Sequence, residues 1–341
     1  MPGKMKRIKK RDPVKIILLV SMCLFSVLAG KAQDLQFSLP QMNPLFINAA
    51  NTGNFKGNWR ISANFRNQQV VTAEPFRTAS ASVDGKLNIV GRSVGAGLFI
   101  VNDESGIGGL NYNKVYASLG YRFDLNNNYI SIGVQPGYVF AAVNDWNTWD
   151  NTSGSFSAPS GEENFNESAN YLDINLGILW SRSIGIADAR LGVNFFHINK
   201  PAVSFLEGDD REDLMSLVNA GVKINLTDRL YLEPSFLLMA RSGVSLTSLG
   251  SMIGYKMPGN KTSLKNVFGG FYIQNGLLDE LNTLALTAGV TINRIDLGIA
   301  YDMNIGNYSV AAGSMGAFEI AVIYRNITTV LNSYSIPCER Y

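Results

Sequence analysis

From Tyr112 to Phe140, hydrophobic and polar positions alternate. Val115, Ala117, Leu119, Tyr121 and Phe123 fall on one side, and Lys114, Tyr116, Ser118, Gly120 and Arg122 on the other. After a polar stretch, Asp124 to Asn128, Ile130, Ile132, Val134, Pro136, Tyr138 and Phe140 oppose Ser131, Gly133, Gln135 and Gly137. A period of two marks a strand with unlike faces. Two such strands around an Asn-rich turn form a long hairpin. In a soluble sandwich the apolar face meets a protein core. In an outer-membrane barrel it meets lipid, and the polar face lines a wet lumen.

The same pattern predicts strands at 58–67, 77–87, 93–102, 112–123, 129–142, 171–182, 188–197, 215–226, 229–241, 246–257, 263–274, 282–292, 295–305 and 316–326. These are 14 in number, even as in bacterial single-chain barrels. The joins alternate in length. Leu125–Asn128, Ser183–Ala187, Thr227–Asp228, Pro258–Thr262 and Asn293–Arg294 are short; Val143–Asn170, Ile198–Leu214 and Gly306–Met315 are long. Short periplasmic turns against long outer loops belong to outer-membrane barrels, and a soluble sandwich has no cause to alternate this way. The expected fold is therefore all-β, a transmembrane barrel of about 14 antiparallel strands over residues 58–327. Strands 7 and 9 and the position of Phe99 alternate less cleanly, which suits packing against a plug or the N-terminal segment. Tyr129, Tyr231, Tyr255, Tyr301 and Tyr324 sit near strand ends, where interfacial girdles are expected.

The N-terminus adds a destination. Basic residues from Lys4 to Lys15 precede the apolar run Ile16–Ala29, which is too short to span a bilayer. The run leads into Ala29-Gly30-Lys31-Ala32, the pattern of a secretory signal cleaved after Ala32. Losing residues 1–32 removes eight of the 29 Lys and Arg and one of the 27 Asp and Glu. The remainder has a net charge of −5 and no basic patch for nucleic acid. Residues 33–57 are expected to form a periplasmic lead-in rich in turn signals, and residues 328–341 a periplasmic tail. Cys338 alone survives cleavage, so no internal disulfide forms.

Candidate chemistry is sparse. His197 is the one histidine; a hydrolase would need a serine beside it, and no Gly-x-Ser-x-Gly elbow exists. A hydrogen bond at a loop base is the plainer role. No zinc site on paired histidines or cysteines is available. Glu207, Asp209, Asp210, Glu212 and Asp213 offer calcium ligands without the spacing of a calcium loop, and otherwise read as a solvated loop. No cofactor or enzymatic activity is implied. Trp146, Trp149, Phe156 and Phe165 stand among acidic residues in the longest loop, suited to a protein partner or to packing over the barrel mouth. Lys114, Arg122, Lys223 and Arg325 are lumen candidates, and they favour a rival function: a diffusion channel or transporter for hydrophobic small molecules.

Several segments together resemble one family. Gln33–Ser38 leading to Asn43-Pro44-Leu45-Phe46, then Arg60–Gln68 and Thr78–Gly85, are similar to the opening of the PorP/SprF family. His197-Ile198-Asn199-Lys200-Pro201 with Ser204-Phe205 resembles its His-x-Asn-x-Pro signature, with Lys200 where Gln is common. Gly316–Ile320 and Ile336–Tyr341 resemble its ending, with Glu339 in place of the usual Pro. The resemblance runs in order from residue 33 to 341. It implies an outer-membrane, lipid-embedded component of type IX secretion in Bacteroidota, related to gliding. Such a protein would bind the C-terminal signal domain of an exported cargo, often a large adhesin, and touch periplasmic ring components. On that expectation Trp146, Trp149, Phe156, Phe165, His197, Asn199 and Pro201 meet the partner. Asn43, Pro44, Cys338 and Arg340 face the periplasmic machine.

Overall fold

A computed structural model describes residues 37–68, 76–89, 91–105, 109–143, 168–203, 210–242, 244–258, 263–275, 283–305 and 316–326. The fourteen strands are β1 (Trp59–Gln68), β2 (Phe76–Ile89), β3 (Arg92–Ser105), β4 (Leu110–Leu125), β5 (Asn128–Val143), β6 (Ser168–Ile184) and β7 (Ala187–Phe196), followed in order by the second half. That half is β8 (Met215–Asn225), β9 (Leu230–Arg241), β10 (Val244–Lys256), β11 (Leu264–Asn275), β12 (Thr283–Ile292), β13 (Ile295–Asn304) and β14 (Ala317–Asn326). Each pairs antiparallel with its sequence neighbours, and β1 closes on β14, from Trp59 opposite Asn326 to Gln68 opposite Ala317. Closure leaves no sheet edge, so the backbone is satisfied without water inside a bilayer.

The two faces sort as the alternation predicts. Along β1, Arg60, Ser62, Asn64 and Arg66 are buried inside while Trp59, Ile61 and Phe65 are exposed outside. On β6, Asp173 and Asn175 point in, and Leu172, Leu176 and Ile178 point out. An interior of buried arginine, aspartate and asparagine under an apolar exterior inverts a soluble protein. So broad an exposed apolar band is stable only against lipid. Among the described residues no helix is long and apolar enough to cross a membrane, and the strands are the spanning elements.

The joins also sort into two ends. At one, β4 and β5 meet through Asn126 and Asn127, with φ of 47° and 68°. Two consecutive positive φ angles define the type I′ turn whose twist suits a hairpin, and asparagine tolerates them. At the other end lie the joins holding 144–167 and 197–214. The wall is uneven: β6 has 17 residues and β7 only 10. The upper part of β6, before Leu176, therefore extends past its pairing with β7.

Inside the barrel lies the segment from residue 37 to 55. It forms a 3-10 turn at Pro40–Met42, one α-helical turn (α1, Pro44–Ile47) and a second 3-10 turn at Ala49–Asn51. Phe37, Leu45, Phe46 and Ile47 pack with Phe99, Val101, Tyr116, Phe196, Leu217, Leu237 and Met239, all inward-facing. This is why Phe99 and strands 7 and 9 broke the polar alternation: their inner face meets a plug. Leu39 and Met42 pack against Ala300, Ala321 and Ile323 on the opposite wall.

The lead-in expectation is thereby corrected for its described part. Asn43 and Pro44 are buried in the lumen and present no periplasmic surface. Asn43 Nδ2 donates to Ser80 Oγ at 2.8 Å, since a polar wall offers this Pro- and Asn-rich segment hydrogen bonds that bulk lipid cannot. Two of the girdle tyrosines also turn inward. Tyr129 lies beneath Arg122, with the guanidinium carbon 3.7 Å from its ring centre, and Tyr231 is buried beside Lys223. Tyr255 and Tyr301 face outward, and Tyr324 packs on Trp59 at 5.1 Å between ring centres.

Candidate functional site

The plug is seated where strands carry inward glycines. A Cβ built on Gly95 would stand 2.1 Å from Thr52 O, on Gly133 2.2 Å from Ala49 O, and on Gly177 2.1 Å from Asn48 Oδ1. Only a residue without a side chain lets backbone approach so closely. Sequence alternation places these glycines on the polar face but does not say what they admit. Their clustering at the inner positions of neighbouring strands was the available signal. Replacing Gly133 with leucine should displace the Ala49–Asn51 turn and lower the temperature at which the folded barrel loses its heat-modifiable gel migration. Gly221→Ala, whose added Cβ meets nothing closer than 3.6 Å, should leave it unchanged.

Polar contacts lock the plug at three levels. Near the long-loop end, Ser38 N donates to Glu319 Oε2 at 2.5 Å and Ser38 Oγ to Asp302 Oδ2 at 2.6 Å. Arg66 bridges the two acids, 2.7 Å from Asp302 and 3.7 Å from Glu319. In the middle, Asn48 Nδ2 donates to Ile178 O and Val193 O, each at 3.1 Å, and Ala49 N donates to Asn194 Oδ1 at 3.0 Å. Gln135 Nε2 donates to Leu45 O at 3.0 Å. Near the short-turn end, Gly53 N donates to Asp84 Oδ2 at 2.8 Å, and Asp84 pairs with Arg60 at the same distance. Buried charges here are each paired, which their desolvation requires.

His197 directly follows β7 with φ of 58° and is buried. Its Nδ1 lies 2.9 Å from Asp173 Oδ1, and Tyr116 OH donates to Asp173 Oδ2 at 2.6 Å. The Asn199 side chain stands in for the missing β7 backbone beside upper β6: Nδ2 donates to Leu172 O at 2.7 Å, and Oδ1 accepts from Ile174 N at 3.1 Å. Pro201 is buried and its carbonyl accepts from Glu212 N at 2.9 Å. Of these three residues expected to meet a partner, His197 and Pro201 thus face the chain itself, and Asn199 is exposed but engaged. The motif fastens a loop to the strand that outgrows its neighbour. Replacing His197 with alanine should loosen that loop, as increased proteolysis after Phe196, while the barrel stays folded.

Trp146, Trp149, Phe156, Phe165, Cys338 and Arg340 lie outside the described residues, as do Glu207, Asp209 and the expected signal segment 1–32. Glu212 bonds Arg241 and Asp213 bonds Ser242, so these two acids of that run serve local structure. No group of three metal-ligating side chains occurs among the described residues. Of the lumen cations, Lys114 sits over Tyr112, Arg122 over Tyr129 and Lys223 over Tyr231, while Arg325 pairs with Asp296. Between the plug and the β7–β10 wall remains a cavity of about 350 Å3, reaching Lys56 and Arg325 at the short-turn rim.

A closed barrel, apolar outside and filled by its own N-terminal segment, is an outer-membrane β-barrel of the plugged kind. Residues 29–324 match the family described as type IX secretion system membrane protein PorP/SprF, and the chain belongs to that family. No curated protein matches it. Among solved structures it is similar to the Pseudomonas putida toluene transporter TodX, with a TM-score of 0.52 at 9% identity over 88% of this chain and 96% of that one. The CymD monoaromatic hydrocarbon channel is similar too, with a TM-score of 0.51 at 11% identity over 87% and 94%. At such identities the likeness is one of fold.

Proposed function

We propose that this barrel is a docking component of type IX secretion that holds an exported cargo protein, through its C-terminal domain, at the long-loop face and aids its export or anchoring. The cargo is a large surface protein such as an adhesin of the gliding apparatus. The barrel itself catalyses nothing and reaches the outer membrane by way of the signal in residues 1–32. The observation that carries this is the filled lumen: a protein of a secretion family whose own bore is occupied is better suited to hold a partner than to pass one. The loop bearing Trp146, Trp149, Phe156 and Phe165 supplies the aromatic anchors, with the exposed loop around Asn199 beside it. The C-terminal tail with Cys338 and Arg340 lies on the periplasmic side, toward the ring components.

The test is a mild-detergent pull-down of the tagged protein from its own cells, with mass spectrometry of what accompanies it. Recovery of one large exported protein is expected, and deletion of 146–165 should abolish it while the barrel still assembles. Unchanged recovery after that deletion would refute the assignment of the loop.

A second reading, a channel for hydrophobic small molecules, is favoured by the shared fold with hydrocarbon channels and by the remaining cavity. Stepwise conductance, or uptake of an aromatic hydrocarbon by liposomes carrying the intact protein, would favour it over docking.

A further inference from the structure

The short-turn mouth carries cations in excess of acids, and they face the lumen. Lys223 Nζ sits 3.8 Å above the Tyr231 ring, and Lys256 Nζ is 5.9 Å from the same ring. Lys256 Nζ also donates to Asn225 Oδ1 at 3.1 Å. Among the described residues neither lysine has an ion-paired carboxylate. Of the nearby acids, Glu233 is taken by Arg190 and Asp296 by Arg325, and Asp188, across the ladder from Lys223, accepts from Ser183 Oγ at 2.5 Å. Lys56, on the exit of the plug, is exposed at the same mouth. Half-buried ammonium groups on a ring face gain from an anion that completes their shell.

The adjoining cavity says what kind of anion. Its volume of about 350 Å3 is at the lower end of small-ligand sites. Ile47, Leu237 and Met252 give it apolar walls. Free phosphate supplies no apolar group for these walls. An extended peptide does, together with carboxylates for the lysines. Lipid headgroups are excluded by placement, because these cations point inward and the barrel wall separates them from the bilayer.

We infer that the short-turn mouth binds an acidic, apolar-interspersed segment of a soluble periplasmic protein, with Lys56, Lys223 and Lys256 receiving its carboxylates and the cavity its apolar side chains. The inference rests on the outer-membrane orientation adopted above, in which short turns face the periplasm. It moves the machine-facing surface from Asn43 and Pro44 to these lysines.

The experiment uses the full-length protein in nanodiscs and a fluorescent peptide alternating Glu and Leu, read by anisotropy, with a Lys/Leu peptide and inorganic phosphate as comparisons. The acidic peptide should bind, the basic one should not, and millimolar phosphate should fail to displace it. The K223Q/K256Q variant should weaken binding about tenfold or more, and K223R/K256R should retain it. Gel migration checks that each variant is folded, and K256Q alone serves if the double variant fails to assemble. No binding, equal binding by the glutamine variant, or displacement by phosphate would each overturn the proposal. Peptide binding is read on the purified barrel and cargo recovery from cells, so either result can fail without the other.

Discussion

A variant lacking Phe37 to Phe55 should conduct ions in a planar bilayer, where the intact protein is silent or nearly so. The fourteen strands close through their own ladders, so the wall does not need the plug to stay continuous. What the plug removes is space: α1 and its flanking turns pack on opposite walls, against Phe196 and Leu237 on one side and Ala321 and Ile323 on the other. Emptied, the bore is lined by Arg60, Asn64, Arg66, Asp84, Gln135 and Asn175, and water hydrates such a surface readily. The change is from essentially no current to stepwise openings, the largest expected from any alteration of this chain. An assembled but silent deletion variant would mean that another segment closes the bore. Large steps from the intact protein would instead mean that the plug does not close it, and would shift the function toward the channel.

The second large effect is expected at Glu319. Its carboxylate is wholly buried and receives Ser38 N at 2.5 Å, Leu39 N at 3.3 Å and Asn64 Nδ2 at 3.3 Å, beside Arg66. Glu319→Ala strands two plug N–H groups and leaves Arg66 with Asp302 as its one carboxylate, beside the Ser38 hydroxyl. Breaking one partner of such a buried set costs about 3–5 kcal/mol. The loss falls on the start of the plug rather than on the β13–β14 pairing. Cysteine labelling at position 38 should therefore rise steeply while the melting of the barrel shifts much less. Glu319→Gln keeps an acceptor oxygen for Ser38 N and should lie between the two. Equal labelling in all three proteins would show that the carboxylate does not hold the plug.

The strands were legible because a period of two with one lipid-facing side is written into each segment separately: Leu172 against Asp173 and Ile61 against Ser62 need no distant partner to be read. Loop asymmetry added the orientation in the same local way. The plug was legible only as an irregularity, in the apolar inward positions of Phe99 and of strands 7 and 9. Residues 37–55 have turn chemistry without periodicity, and their partners, such as Glu319 for Ser38, lie hundreds of positions away. Tyr231 was misplaced for a related reason: nearness to a strand end does not reveal that Lys223 and Lys256 are waiting on its inner face. His197 was placed correctly at a loop base, but Asp173 and Tyr116, which fix it, come from β6 and β4, and spacing along the chain cannot name them.

The plug also bears on the order of assembly. Its residues are synthesised before every strand, yet the wall around it is sealed only when β14, the last strand, pairs with β1. Ser38 contacts both late strands, through Asp302 on β13 and Glu319 on β14. Asn43, Leu45 and Gly53 have partners on β2 and β5, but the Ser38 end is satisfied only once β13 and β14 are in place as the seam shuts. A chain that closes early encloses water and leaves its first residues outside, with no lateral path back in. Closing loops of this length is slow. A periplasmic escort, or an insertion machine that holds the seam open until the N-terminal segment is inside, would decide how much of the protein matures correctly.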